Sequence, residues 1–339
     1  MNDFFNLPDE TVSTSSQSKS YEKKVDTNIY DPNPDSTGGG VYKSIFRFIP
    51  NLRDKNESKY TKYSAKIWNP VAKKSIIVDC PSNEGQPSVL WTLSSILGRL
   101  YKEEPTIVKE INDNFSRWYT HHSYVYITND PQSPDLIGSI KILKYRAQIN
   151  DLIENQMNPD EDGLLNVKKV NPFHLLEGKD FICVVSKKGK QWRDWTKCKF
   201  MDEVTPFRFK IKDNEVTMKN EEGAIKLITE FFNKTAPSLD EYRHVSWTEE
   251  TYVQVAEALK AAIPYKQVLE MLISETRDEK MKALLSDGQV KTTETVSKTV
   301  TESATNEDFF STSSDTSQVE SNDSESLDKD EYDDIFKNL

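Results

Sequence analysis

Between residues 42 and 212 the chain repeatedly alternates apolar and polar residues in short runs, and a period of two is the mark of a strand with one buried face. Phe46 and Phe48 alternate with Ile45, Arg47 and Ile49 until Pro50 ends the run. Over residues 60–68, Tyr60, Lys62, Ser64, Lys66 and Trp68 share one face, and Thr61, Tyr63, Ala65 and Ile67 the other. Residues 73–79 read as the hairpin partner of that run. Further strands are expected at 123–129, 138–146, 179–186, 192–200 and 206–212, divided by the turn signals Asp130-Pro131, Ser133-Pro134 and Lys188-Gly189. About seven short strands so punctuated predict a small barrel or sandwich.

Helical periodicity interrupts and follows the strands. Val89, Leu93, Leu97 and Leu100, then Ile107, Val108, Ile111 and Phe115 after Pro105, recur at spacings of three and four. They predict a helical insertion over residues 88–116. Helices are also expected at 221–233, at 248–263 behind a capping box Ser246-x-x-Glu249, and at 265–285. The fold class is therefore α+β: a small barrel or sandwich with a helical insertion, then a small helical region. The expected organisation is a leader (1–40), a core (41–215), a helical region (216–286) and an acidic tail (287–339). Leader and tail are rich in Ser, Thr, Asn and Asp and are expected to be disordered.

Of 339 residues only 36% are hydrophobic, which fits tails outside any core. No stretch approaches the roughly 18 uncharged apolar residues of a spanning helix, so no membrane association is expected. The segment Met1-Asn2-Asp3-Phe4-Phe5 carries no basic and apolar signal, and Cys80, Cys183 and Cys198 are an odd, sparse set suited to a reducing cytosol. The formal net charge is -11, yet residues 41–215 hold 28 Lys and Arg against 22 Asp and Glu, while residues 301–339 hold twelve acidic residues against two lysines. A mildly basic body joined to a strongly acidic tail is a pattern of polyanion binders.

Catalytic signatures are absent from the sequence. Gly38-Gly39-Gly40 lacks the Lys-Ser/Thr end of a phosphate loop, there is no Gly-x-Ser-x-Gly elbow, and there are four histidines in all. No enzyme is expected. Cys80 with His121 and His122 supplies three metal ligands at best, without the paired cysteines of a structural zinc site, so no zinc or other cofactor is expected.

What remains is cations interleaved with rings on strand faces: Tyr60, Lys62, Lys66 and Trp68; Lys73 and Lys74; Tyr124 and Tyr126; Lys144, Tyr145 and Arg146; Arg193, Trp195 and Lys197. Single-stranded nucleic acid requires that mixture. Cations neutralise phosphates, and each exposed ring stacks on a base for about 1–3 kcal/mol irrespective of sequence.

The order of these motifs resembles the single-stranded DNA-binding (helix-destabilising) proteins of T-even bacteriophages. The resemblance lies in Ser44-Ile45-Phe46-Arg47-Phe48-Ile49-Pro50 after glycines, residues 124–131, Gly138 and Lys144-Tyr145-Arg146. It continues in Asn171-Pro172-Phe173, Glu177-Gly178-Lys179-Asp180-Phe181 and the tip Tyr332-Asp333-Asp334-Ile335-Phe336-Lys337-Asn338-Leu339. It implies an OB-fold that coats and protects single-stranded DNA in replication, recombination and repair, in the host cytoplasm. Arg47, Lys144, Tyr145 and Arg146 would then lie in or near the cleft, with Tyr124 and Tyr126 on the adjoining strand. Tyr332, Asp333, Asp334, Ile335, Phe336 and Leu339 would dock replication and recombination proteins, and the acidic tail would hold DNA off the cleft. The helical insertion stands where better-known members carry a zinc module. Residues 1–20 hold a single Lys19 in place of the basic motif for filament growth, so self-association on DNA is left open. Two other readings use the same faces: a phage structural or scaffolding protein, and an RNA-binding OB-fold protein.

Overall fold

The alternating runs pair across the turns that separate them. The computed structural model describes residues 26–54, 57–159, 169–188, 192–211 and 214–287. The first part of the chain forms β1 (Ile29–Tyr30), β2 (Val41–Ile49) and the hairpin β3 (Tyr60–Asn69) and β4 (Lys74–Asp79). The insertion supplies α1 (Val89–Leu100) and α2 (Pro105–Asn114), and the chain returns as β5 (Phe115–Asn129), β6 (Ile140–Tyr145) and α3 (Ala147–Met157). The strands β7 (Asp180–Lys188), β8 (Trp192–Asp194) and β9 (Lys199–Phe200) follow, then the ribbon β10 (Arg208–Ile211) and β11 (Asn214–Thr217). Four helices end the described chain: α4 (Glu222–Thr235), α5 (Glu249–Ala262), α6 (Lys266–Glu275) and α7 (Glu279–Ser286).

Nine strands make one curled sheet, an open half-barrel in the order β1-β6-β5-β2-β7-β8, with β3 on β5, β4 on β3 and β9 on β7. The long β5 is its spine. Phe115–His122 pairs with β3, Tyr124–Asn129 pairs with β2, and residues 121–126 pair with β6 along the opposite edge. Sequence periodicity assigns Phe115 to a helix and begins this strand only at Ser123. The structure starts it eight residues earlier, because the full length of β3 is available as a partner and backbone pairing outweighs a local helical pattern.

Three apolar cores lie against this spine. The barrel interior is built from Phe46, Phe48, Val125, Phe181 and Tyr145, with Phe46 and Phe181 rings 5.1 Å apart. The opposite face of β5 and β6 carries Tyr124, Tyr126, Ile140 and Ile142, covered by Phe209 of β10 and by Leu227, Ile228 and Phe232 of α4. The third core is helical: α1 and α2 of the insertion pack with α5, α6 and α7 over Ala65, Ile67 and Phe115. The insertion and the last three helices are thus two halves of one bundle.

Local capping corrects one capping residue and one helix boundary. The expected capping box at Ser246 is replaced by Thr248, whose side chain accepts from the Thr251 amide, while Ser246 Oγ donates to Glu84. The helix expected over 265–285 is two, because Asp278 accepts from the Met281 amide at 3.1 Å and restarts the chain as α7. Such a cap contributes about 1 kcal/mol, enough to place a boundary inside an otherwise continuous apolar pattern. The strand expected at 192–200 is divided by the turn in which the Cys198 amide donates to the Trp195 carbonyl. The leader, expected to be unstructured to Gly40, is docked from Asp26 onward: β1 runs parallel to β6, and Tyr30 is buried in the barrel core with its hydroxyl donating to Asp130 at 2.7 Å.

Candidate nucleic-acid interface

Where the half-barrel stays open, between the β1–β6 edge and β8, lies a cleft of about 570 Å³. β6 pairs with β1 only through Ile142 and Leu143, so its edge is uncovered from Lys144, while Lys144 and Tyr145 stay paired with β5 before the chain turns through Arg146 into α3. The end of β6 and this turn deliver Lys144, Tyr145 and Arg146 to one wall, and β8 and the turn after it deliver Arg193 and Trp195 to the other. Five of the residues singled out in the sequence therefore share one cleft, although about fifty positions separate the two groups.

Their roles differ. Lys144 and Arg146 are exposed, Trp195 is half-buried, and Tyr145 forms the floor. The Tyr145 hydroxyl lies 2.9 Å from Ser123 Oγ, and its ring packs on Phe48 and on His121. A ring 3% exposed positions the wall and cannot stack on a base. Arg193 is held by Asp31 through both guanidinium nitrogens, Nη2 at 3.1 Å from Oδ2. Lys187 likewise pairs with Asp35, so two acidic residues of the leader lie on two cations of the β7–β8 edge. A fork of donors on a carboxylate is the geometry in which arginine also takes a phosphate.

A second group lies on the β3–β4 hairpin. The register places Lys62 opposite Thr120, Ser64 opposite Trp118 and Lys66 opposite Ser116, so Lys62, Lys66 and Trp68 do share the face that the alternation assigns them. Six residues of strand separate Lys62 from Trp68, about 20 Å. Lys66, Lys73 and Lys74 are exposed, Trp68 is half-buried, and Lys62 pairs with Asp79 at 3.2 Å. Between hairpin and cleft stands Trp118, with the Arg146 guanidinium 5.9 Å from its ring centroid. Sequence reasoning misses Trp118; extending the strand back from Tyr124 in steps of two would have found it, but the helical spacing ending at Phe115 conceals it. Lys197 is exposed on the turn beyond Trp195.

Four expected contacts belong to the cores. Arg47 is 1% exposed, and its Nη2 donates to the carbonyls of His174 at 3.1 Å and Thr205 at 2.9 Å while Nη1 faces Asp180 at 3.4 Å. It ties the loops before β7 and β10 to the barrel, and a Cβ added at Gly178 would sit 2.6 Å from its Nη2. Tyr60 donates or accepts at His244 Nδ1 and accepts from the His244 amide, both at 2.9 Å. Tyr124 donates to the Pro237 carbonyl, and Tyr126 accepts from the Lys210 amide. The alternation of these tyrosines is real, but α4 and the 236–244 segment cover the face they occupy.

His121 and His122 point to opposite faces of β5 beside the cleft. Burial drives both rings down to about 4, helped by Lys59 at His121 and by Lys144 and Lys62 at His122, so both are neutral near pH 7. Cys80 is in the helical core, its thiol pushed up to about 12 by burial. Among the described residues no group of three or more His, Cys, Asp and Glu is placed to hold a metal ion, and no helix is long and apolar enough to cross a membrane. Tyr332, Asp333, Asp334, Ile335, Phe336 and Leu339 lie outside the described residues.

Compared with known proteins, the chain matches no protein-family model and no curated protein.

Proposed function

We propose that this chain is a sequence-independent single-stranded DNA-binding protein that coats and protects transient single strands during phage replication, recombination and repair, with no catalysis of its own. The observation that carries the reading is the cleft that Lys144, Arg146 and Arg193 line together with Trp195 at the open edge of the sheet. Three cations offer phosphate contacts and a half-buried indole offers one stacking face, the pairing that unpaired strands need and duplexes do not. We read the half-barrel as a variant OB-fold, whose oligonucleotide site is commonly a sheet face and its adjoining loops. The Arg146–Trp118 pair and the lysines of the β3–β4 hairpin would extend the track beyond the cleft.

The acidic segment 301–339 would compete with DNA as a polyanion, and its aromatic tip would recruit replication and recombination proteins in the infected cell. The test is a salt titration of labelled oligo-dT, matched RNA and duplex, with the full chain and with residues 301–339 removed. The expected result is preference for oligo-dT, log affinity falling with log salt by about 0.7 per neutralised phosphate, and tighter binding at low salt without the tail. Equal affinity for duplex, or no binding at any salt, overturns the proposal. A stronger grip on the RNA reassigns the same cleft to RNA.

A further inference from the structure

Within the helical bundle, α1, α2 and the start of β5 enclose a second groove of about 580 Å³. Leu97, Val108 and Phe115 form its floor, and Tyr101, 65% exposed, stands at its rim. Two features of this groove have no explanation within the described residues. Gly98 faces it from inside α1, where a glycine costs about 1 kcal/mol relative to alanine. A Cβ there would meet nothing within 4 Å, and the residue has no positive φ, so neither sterics nor conformation demands glycine. Arg117 is the one charged residue of the lining. Its guanidinium stacks on the half-exposed Trp91 ring at 3.8 Å, its Nη1 is buried without a hydrogen-bond partner, and no carboxylate pairs with it among the described residues. A missing side chain leaves room, and an unpaired cation beside aromatic rims asks for an anion next to an apolar group.

We propose that the groove receives this chain's own segment 330–339, with Phe336 or Ile335 seated over Gly98 and Asp333 or Asp334 on Arg117. The segment Asp330-Glu331-Tyr332-Asp333-Asp334-Ile335-Phe336-Lys337-Asn338-Leu339 combines the two chemistries that the groove lacks. The described chain leaves the same bundle at Asp287, and the 42 residues between have a contour length of about 140 Å, so reach is no obstacle. A tip seated there is withheld from other proteins, which makes the groove a store for the docking segment, independent of whether the cleft binds DNA.

The experiment uses the full chain with a photo-reactive benzophenone side chain in place of Phe336, irradiated at low protein concentration and mapped by mass spectrometry. The expected product is a cross-link within one chain to residues 94–117. Gly98→Trp, which fills the groove, should lower its yield roughly tenfold, the loss expected when an aromatic anchor is excluded. Arg117→Gln should lower it about fivefold, as for one ion pair at a partly exposed site. The pair Asp333→Lys and Asp334→Lys leaves the groove itself intact and should act like Arg117→Gln. Cross-links to residues 144–149 or 193–195, a cross-linked dimer, the absence of any cross-link, or a yield indifferent to the lysine variants overturns the assignment.

Discussion

Burial separates the residues that hold this molecule together from those free to meet a ligand, and variants can tell the two groups apart. Trp195 is half-buried in the cleft, so Trp195→Leu, which keeps apolar cover, should weaken oligo-dT binding by about 1–3 kcal/mol in a fluorescence titration. Tyr124→Phe should leave that affinity unchanged and lower unfolding free energy by about 1 kcal/mol, the worth of its hydroxyl bond to Pro237. Affinity lost with Tyr124→Phe would reopen the tyrosine face as a binding surface. Arg47→Gln should cost about 2–3 kcal/mol in urea unfolding, less than the ~3–5 of a wholly buried pair because Asp180 retains solvent. Its folded fraction should bind DNA normally. Alternation alone identified which side chains share a face, as Lys62, Lys66 and Trp68 show. It could not tell which faces are covered, because the cover over Tyr124 and Tyr126 includes Phe232 and Phe231, more than a hundred positions later.

At the scale of elements, β5 carries a pH dependence. His121 and His122 titrate near 6.5 when unfolded and near 4 when folded, so the unfolded chain takes up protons first as pH falls. Stability is complete above about 6.5 and declines from there towards 4, by about 2 kcal/mol per ring at pH 5. Urea midpoints that coincide at pH 7 and pH 5 would contradict this. The leader offers a second prediction. Because Asp31 occupies the fork of Arg193, Asp31→Asn should strengthen oligo-dT binding at low salt by several-fold, with the gain shrinking as salt screens both partners. Unchanged affinity would show that the pair does not compete with DNA. Neither feature was legible in the sequence. The leader looks like solvated linker because its docking depends on a two-residue parallel pairing and a few ion pairs, and the early half of β5 carries a helical apolar spacing.

For the whole molecule, the strand and helix inventory was largely legible because each run is bounded by proline, glycine or acidic turns. The assembly was not, since nothing in local periodicity says that a helical insertion at 88–116 and helices after residue 248 complete each other. The shared bundle has a practical corollary for dissection. A chain cut at residue 215, the boundary that composition recommends, would strip α1 and α2 of the partners that cover Leu90, Leu93 and Ile96, and would bare the outer side of the sheet now roofed by α4. Such a fragment should be insoluble or molten, whereas one ending near residue 287 should melt in a single sharp transition. The apparent appendix is the other shell of the bivalve.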